Sequence, residues 1–265
     1  MHANNTSDAP TVTIVIPTRN EARNLEEVLP QLPPVHEVIL VDGHSMDDTI
    51  ATARRVMPEI IVLTQDRIGK GNAMACGFRA ATGDIVVMFD ADGSADPAEI
   101  PAFVDALIQG ADFAKGSRFL AHHAAGSFDI TPLRRAGNAG LNLVANTLFK
   151  STFTDLCYGY NAFWRDVVPV LDLPAPSSSI EKEMRWGDGF EIETLINCRI
   201  AAAALRITEV PSTERRRIHG TTNLRTFSDG LRVLRTLVAE RRRASSRSHV
   251  RIEHVRTRGL GRVHS

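Results

Sequence analysis

The stretch Ile85-Val86-Val87-Met88-Phe89-Asp90-Ala91-Asp92 decides the fold. Its first five residues are all apolar, which reads as a strand buried on both faces. Two aspartates follow at once. A strand of this kind belongs at the centre of a parallel sheet, and such sheets bind ligands beyond the carboxyl ends of their strands. The neighbours agree. Upstream, Val12–Ile16, Val38–Val41 and Ile60–Leu63 read as strands, the first stopped by Pro17 and the second ending at Asp42. Between them, helices are predicted from Asn20 to about Leu29, from Ser45 to about Val56 and over Lys70–Ala80. Pro97 and Pro101 open the next helix, and Ala111–Ala114 is a fifth strand with Lys115 to Arg118 beyond it. Alternating strand and helix predict an α/β fold: a three-layer α/β/α sandwich with a mostly parallel central sheet.

The second half is less regular. Arg134–Phe149 reads as an amphipathic helix, Leu171–Ser179 as a Pro/Ser-rich loop, Phe190–Ala204 as a helix and Leu205–Val210 as a strand stopped by Pro211. Phe227–Glu240 is a last amphipathic helix with Leu231, Leu234 and Val238 on one face, and disorder is expected beyond Arg243.

Composition bounds the function. The chain has 265 residues, 43% of them hydrophobic, so global disorder is excluded. Thirty-one basic residues balance 31 acidic ones, but the charge is unevenly placed. Leu231–Ser265 holds ten arginines against Glu240 and Glu253, a net of +8, so the body before it carries −8. Such a tail is either a solvated, disordered one or a surface for an anionic partner. With an acidic body and no aromatic-basic platform, nucleic acid is not the expected partner. Cys76, Cys157 and Cys198 are too far apart for a zinc or disulfide framework. The opening MHANNTSDAP has no secretory signature, and the longest apolar run, Ile200–Leu205, is far short of the roughly 20 residues of a spanning helix. A cytoplasmic protein is expected, with any membrane contact peripheral.

Several chemistries are excluded by pattern. No GxGxxG follows the first strand, Gly69-Lys70-Gly71 lacks P-loop spacing, and neither HExxH nor GxSxG occurs. Asp90 and Asp92, one residue apart at a strand end, can share one hard dication, Mg²⁺ or Mn²⁺, with positions left open for phosphate oxygens. The same pair also suits a plain acidic turn.

Taken with their surroundings, these residues resemble a known family. Ile16-Pro17-Thr18-Arg19-Asn20-Glu21 follows strand one, and Val41-Asp42-Gly43-His44-Ser45-Met46-Asp47-Asp48-Thr49 follows strand two. Gly69-Lys70-Gly71-Asn72-Ala73, Gly116-Ser117-Arg118-Phe119, Thr154-Asp155-Leu156-Cys157-Tyr158-Gly159-Tyr160 and Gly189-Phe190-Glu191-Ile192-Glu193-Thr194 come next. Glu209-Val210-Pro211, Arg217 and His219-Gly220-Thr221-Thr222-Asn223-Leu224 close the series. In this order they resemble the family 2 glycosyltransferases of GT-A fold, above all the dolichol-phosphate and polyprenyl-phosphate sugar synthases. The resemblance implies an inverting, metal-dependent transfer of a hexose, mannose or glucose, from GDP-mannose or UDP-glucose to a polyprenyl phosphate. It implies a domain over 11–243, with a nucleotide-sugar half at 11–118 and an acceptor-side half at 119–243. Residues 1–10 and the basic 244–265 would be disordered flanks.

The resemblance also implies roles. Pro17, Arg19, Glu21, Asp42, Lys70, Asp90, Ala91, Asp92 and Arg217 would bind the nucleotide sugar. Asp90 and Asp92, with Ser94 as a weaker third ligand, would hold the metal. Arg118 and Arg135 would bind the acceptor phosphate. Four departures stand out: Gly43 where a second Asp is common, Ser94 where Gln is common, Asn223 where Lys is common (with Arg225 as a substitute charge), and no membrane helices. These keep open a small soluble acceptor, such as phosphoglycerate or a natural-product hydroxyl, or a non-catalytic nucleotide-sugar-binding subunit. A phosphate acceptor is already anionic and needs no base; a hydroxyl needs one, for which Glu191 or Asp188 is the candidate. Glu191 also reads as a helix N-terminal carboxylate, and Glu193 is expected to point elsewhere. Trp186 is a packing residue or a stacking platform for an acceptor.

Overall fold

The computed structural model describes residues 9–120, 132–175, 183–220 and 226–246. Seven strands form one sheet: β1 (Val12–Thr18), β2 (Glu37–Asp42), β3 (Ile61–Thr64), β4 (Ile85–Met88), β5 (Phe113–Ser117), β6 (Asn161–Trp164) and β7 (Ile207–Pro211). Their order is β3-β2-β1-β4-β6-β5-β7. All neighbours are parallel except β6, which runs antiparallel between β4 and β5. β6 has no counterpart in the sequence reading. Four residues are too few to show a period, and its Asn161 is buried as fully as its neighbours.

Strand parity explains the layers. Ile14, Ile16, Val38, Leu40, Ile85 and Val87 point to one face. There they meet α1 (Ala22–Val28), α2 (Thr49–Val56) and α4 (Ile100–Ile108) through Leu25, Ala53 and Phe103. Val15, Ile39, Val41, Val86 and Met88 point to the other. Here they meet α3 (Lys70–Ala80), α6 (Val168–Leu171) and α7 (Ile192–Ala202) through Phe78, Leu171 and Ile196. A third cluster packs α5 (Pro132–Phe149) and α8 (Thr226–Ser246) against α7 through Phe149, Leu237 and Cys198. The expected three-layer α/β/α sandwich is therefore present.

Boundaries move for local reasons. β1 continues through Pro17 to Thr18, because the ladder to β4 ends at Val15 opposite Met88, and Pro17 lies past it. β5 starts at Phe113 and runs to Ser117, so Lys115 is a strand residue and not part of a polar loop. α8 continues past Glu240 to Ser246. Val233 and Leu237 join the core, whereas Leu231, Leu234 and Val238 are exposed. The buried ion pair of Arg199 with Glu240, Nε to Oε2 2.9 Å, fixes this orientation.

The two halves of the chain meet at a backbone seam. Gly71 N donates to the Gly189 carbonyl (3.3 Å) and Asn72 N to that of Asp188 (3.1 Å). A Cβ at Gly71 would lie 1.9 Å from the Gly187 oxygen, so only glycine fits. Gly69 is doubly constrained, with φ +121° and 2.1 Å from a would-be Cβ to the Asp188 oxygen. Arg67 locks the seam. Its guanidinium, wholly buried, pairs in a fork with the wholly buried Asp188, Nε to Oδ2 2.6 Å and Nη2 to Oδ1 3.0 Å. Replacing Arg67 by Met strands the Asp188 carboxylate without its charge partner. Urea unfolding of Arg67→Met should show a loss of about 3–5 kcal/mol, and a change below 1 kcal/mol would refute the assignment.

Candidate functional site

The chain runs from β1 outward to β3, then returns to place β4 on the other side of β1. This reversal opens a crevice at the carboxyl ends of β1 and β4. Glu21 follows β1 there, and Asp90 and Asp92 follow β4. Lys70, the first residue of α3, reaches in from the glycine seam. Its Nζ lies 2.8 Å from Asp90 Oδ1 and 2.7 Å from Glu193 Oε1. Arg217 reaches in from beyond β7, with Nη2 2.8 Å from Asp92 Oδ2 and Nη1 3.5 Å from Glu21 Oε1. Asp92 Oδ1 accepts from the Ser94 N–H at 2.9 Å. The loop carrying Arg217 is fastened by Ile218 N to the Asp92 carbonyl (3.1 Å) and by His219 N to Asn24 Oδ1 (2.9 Å).

Four carboxylates, Glu21, Asp90, Asp92 and Glu193, thus face two cations. Two of them, Asp90 and Glu21, have pKa values shifted upward. Burial pushes the Asp90 carboxyl up, Asp92 and Glu193 push it further, and Lys70 opposes them. Burial also raises Glu21, against its hydrogen bond from Asn24 and the charge of Arg217. Lys70, held between two carboxylates, is raised despite its burial and stays charged.

Beside this cluster two loops meet. The β1–α1 and β2–α2 loops are tied by Asn20 N to Ser45 Oγ (2.9 Å), Met46 N to Asn20 Oδ1 (2.8 Å) and Glu21 N to Thr49 Oγ1 (2.9 Å). Asp42 is buried at the end of β2 and accepts from the Ser45 N–H at 3.1 Å. Gly43 N donates to the Thr18 carbonyl at 2.7 Å. A Cβ there would stand 3.1 Å from that oxygen, which accounts for the glycine. Next to it is Gln65, 5% exposed, whose carboxamide makes no hydrogen bond among the described residues. Pro17 is half-buried at the end of β1, Ala91 is buried and Arg19 is exposed.

Several expected residues are placed differently. Glu191 is the residue before α7, and its Oε1 turns back to accept from Gly187 N (2.9 Å) and Gly189 N (3.2 Å). It holds the loop instead of facing Asp90. Glu193 faces Lys70, correcting the choice between the two. The helix starts one residue after Glu191, so only Glu193 takes a helical direction toward the site. Gly159 makes room for it, since a Cβ there would come within 3.2 Å of Glu193 Oε1. Asp188 is committed to Arg67 and carries no free carboxylate for base catalysis.

Arg118 is also not an open phosphate receptor. It forms a fork with buried Asp155, Nε to Oδ2 2.6 Å and Nη2 to Oδ1 2.9 Å, and its Nη1 contacts Glu214 at 2.8 Å. Arg135 is exposed, 5.8 Å above the Phe119 ring. Lys115 is fully buried and donates to the carbonyls of Tyr158 (2.6 Å) and Gly116 (3.0 Å). Burial lowers its ammonium to about 8, against the pull of Asp155 and Glu209. Trp186 donates to Glu240 Oε1 at 2.8 Å. Asn223, Arg225 and the tail beyond Ser246 lie outside the described residues.

Comparison with known proteins places this arrangement. The profile described as Glycosyl transferase family 2 matches residues 13–168. An uncharacterized glycosyltransferase of Mycobacterium tuberculosis is 40% identical over 107 residues, covering 40% of this chain and 48% of that protein. The chain thus aligns with about half the length of that relative. A polyprenol monophosphomannose synthase of Mycolicibacterium smegmatis is 31% identical over 205 residues, 68% of this chain and 73% of that protein. The crystal structure of glucosyl-3-phosphoglycerate synthase from Mycobacterium tuberculosis, in complex with Mn²⁺, UDP and glucosyl-3-phosphoglycerate, superposes with a TM-score of 0.65. It is 23% identical, covering 87% of this chain and 80% of that one, and shares the fold. The chain belongs to glycosyltransferase family 2, has the GT-A fold and resembles the polyprenyl-phosphate sugar synthases.

Proposed function

We propose that the protein moves a hexose from a nucleotide-diphosphate sugar to a polyprenyl phosphate, with a divalent cation held by Asp90 and Asp92. The observation that carries this reading is the acidic cluster at the β1/β4 crevice, where four carboxylates meet only two cations. The two-charge excess and the hard oxygen donors fit Mg²⁺ or Mn²⁺. Both side chains are partly exposed, 34% for Asp90 and 14% for Asp92. Such a cation, when bound, supplies positive charge against the departing diphosphate. The chain's own share is done by Lys70 and Arg217. They pair with Asp90 and Asp92 and present cationic ends to the diphosphate oxygens. Ser94, with its N–H on Asp92, fixes that carboxylate through its backbone.

Asp42 and Gln65 read the base. Asp42 accepts from a base N–H, and the unpaired carboxamide of Gln65 supplies the adjoining donor and acceptor. Arg19 and Pro17, at the end of β1, lie beside these two residues.

The acceptor follows from the state of the carboxylates. Among the described residues, Glu21, Asp42, Asp90, Asp92, Asp188, Glu191 and Glu193 are each already hydrogen-bonded or ion-paired. None is left as a dedicated general base, which favours an anionic phosphate over a hydroxyl as nucleophile. Arg135 is the open guanidinium for it. Arg118 positions the Asp155 loop, and a phosphate would take the place of Glu214 on its Nη1. A small soluble phosphate such as phosphoglycerate is the second reading. It is favoured by the likeness to the glucosyl-3-phosphoglycerate synthase and by the lack, among the described residues, of any helix long and apolar enough to cross a membrane.

Calorimetry with GDP-mannose and UDP-glucose, with and without Mn²⁺, tests the donor site. One donor should bind in a metal-dependent way, and Asp92→Ala should weaken it by at least about tenfold. Binding indifferent to Asp92 would reduce the pair to a turn. Gln65→Leu should weaken the same nucleotide about three- to tenfold while leaving Mn²⁺–pyrophosphate binding unchanged. An equal loss for both ligands would remove Gln65 from base recognition. Transfer to polyprenyl phosphate against 3-phosphoglycerate, measured side by side, separates the two acceptors.

A further inference from the structure

The outward face of α8 is apolar where a solvent face should be polar. Leu231 is 50% exposed, Leu234 39% and Val238 46%. Their spacing, with Arg235 and Arg242, follows i, i+3, i+4, i+7 and i+11, one stripe along the helix. Arg235, Arg241 and Arg242 are exposed along and beside it. The inner face is anchored independently, by Leu237 in the core and by Glu240 on Arg199. Among the described residues the stripe is therefore left without a partner, although the helix is firmly docked. The loop before α7 carries two further exposed rings, set against other sides of the helix. Phe190 is 58% exposed with the Arg232 guanidinium 6.0 Å from its ring centre, and Trp186 is 46% exposed while donating to Glu240. The two acids of α8, Asp229 and Glu240, are paired with Arg232 and Arg199, so the exposed side is cationic. Residues 247–265 add five arginines against Glu253.

We propose that this face, the outer stripe of α8 with its flanking arginines, docks on an anionic lipid surface. Leucine and valine beside arginines suit the boundary between acyl chains and headgroups, where apolar groups sink and guanidinium groups meet lipid phosphates. A second copy of the chain is a poorer occupant. A two-fold contact would set the arginines of one stripe against those of the other. A nucleic acid would leave Leu231, Leu234 and Val238 without a complementary surface. The loop that carries Trp186 and Phe190 contacts α8 and also forms the seam behind Lys70, so docking of α8 brings the bilayer toward the acidic crevice. In linking the face to a lipid-borne acceptor, the inference rests on the polyprenyl-phosphate reading; the docking itself is measured separately.

The full chain is floated with vesicles of phosphatidylcholine alone and of phosphatidylcholine with phosphatidylglycerol, at low and high salt. Three forms are compared: wild type, Leu234→Glu with Val238→Glu, and Arg235→Gln with Arg242→Gln. Nucleotide-sugar binding is measured on each. Wild type should float with the anionic vesicles only. The Glu pair should lose about tenfold or more of that partitioning and the Gln pair a smaller part, both with donor binding intact. Wild type failing to float, or the Glu pair floating like wild type, overturns the proposal. So does a concentration-dependent dimer abolished by the Glu pair, or an RNA oligonucleotide bound in preference to the vesicles. Vesicle binding without any donor binding would leave the docking face standing and remove the transferase reading. Donor binding without vesicle binding would do the reverse.

Discussion

The buried fork between Arg67 and Asp188 is the constraint on which the site depends. It joins the segment before α3 to the loop before α7, two pieces of chain 121 residues apart in sequence. Around it the backbones of Gly69–Gly71 and Gly187–Gly189 touch directly, which side chains larger than hydrogen would prevent. Lys70 is the residue between the two contact glycines, so its place in the crevice is set by this seam. Glu193, one turn into the site from the same loop, is set by it too. A buried ion pair offers little net stability over an apolar substitute of equal shape. What it offers here is register: two loops that each carry a charged group are held so that those groups meet over Asp90.

The crevice is consequently an arrangement of paired charges before any ligand arrives. Each of the two aspartates has its own cation, Lys70 for Asp90 and Arg217 for Asp92. The cations come from opposite sides, one from the glycine seam and one from the segment after β7. Binding a dication and a diphosphate together would exchange these pairs for new ones of the same kind, carboxylate to metal and cation to phosphate. Such an exchange needs little reorganisation, because the charged ends already surround the place where the new charge develops. The excess of two negative charges in the cluster favours the exchange in the presence of the metal and opposes binding of the diphosphate without it.

The sheet and much of this crevice were legible in the sequence, and the misreadings have particular causes. Apolar runs such as Ile85–Phe89 mark central strands without ambiguity, and the aspartates after them follow from strand ends. β6 escaped because Asn161-Ala162-Phe163-Trp164 is short and its antiparallel direction is a tertiary property. Glu191 and Glu193 were exchanged because their roles turn on whether the helix begins at residue 190 or 192, and helix starts are the least certain boundaries. The partners of Arg118 lie at Asp155 and Glu214, far along the chain, and no local pattern couples them. Gln65 was invisible for a different reason. A polar residue one position beyond a short strand looks like any loop residue until its burial and lack of partners are known.

The face of α8 illustrates a limit of periodicity itself. Two apolar stripes run along this helix, Val233 with Leu237 and Leu231 with Leu234 and Val238. A hydrophobic pattern says that a stripe is covered, not by what. Here the smaller stripe is buried and the larger one exposed. The choice is made by polar groups. Glu240 lies on the side of Val233 and Leu237, and it can be buried only where Arg199 and the Trp186 indole meet it. Those hydrogen bonds from Arg199 and Trp186, with the charges of Arg199 and Arg243, hold its carboxyl below the ordinary glutamate range although burial acts to raise it. Turning the helix to bury the larger stripe would expose two apolar residues and strand Arg199 in the core, which costs more than burying three leucine- or valine-sized side chains returns. The larger stripe is outside because the buried charge requires it, and an apolar stripe forced outward on a soluble surface is selected against unless something covers it.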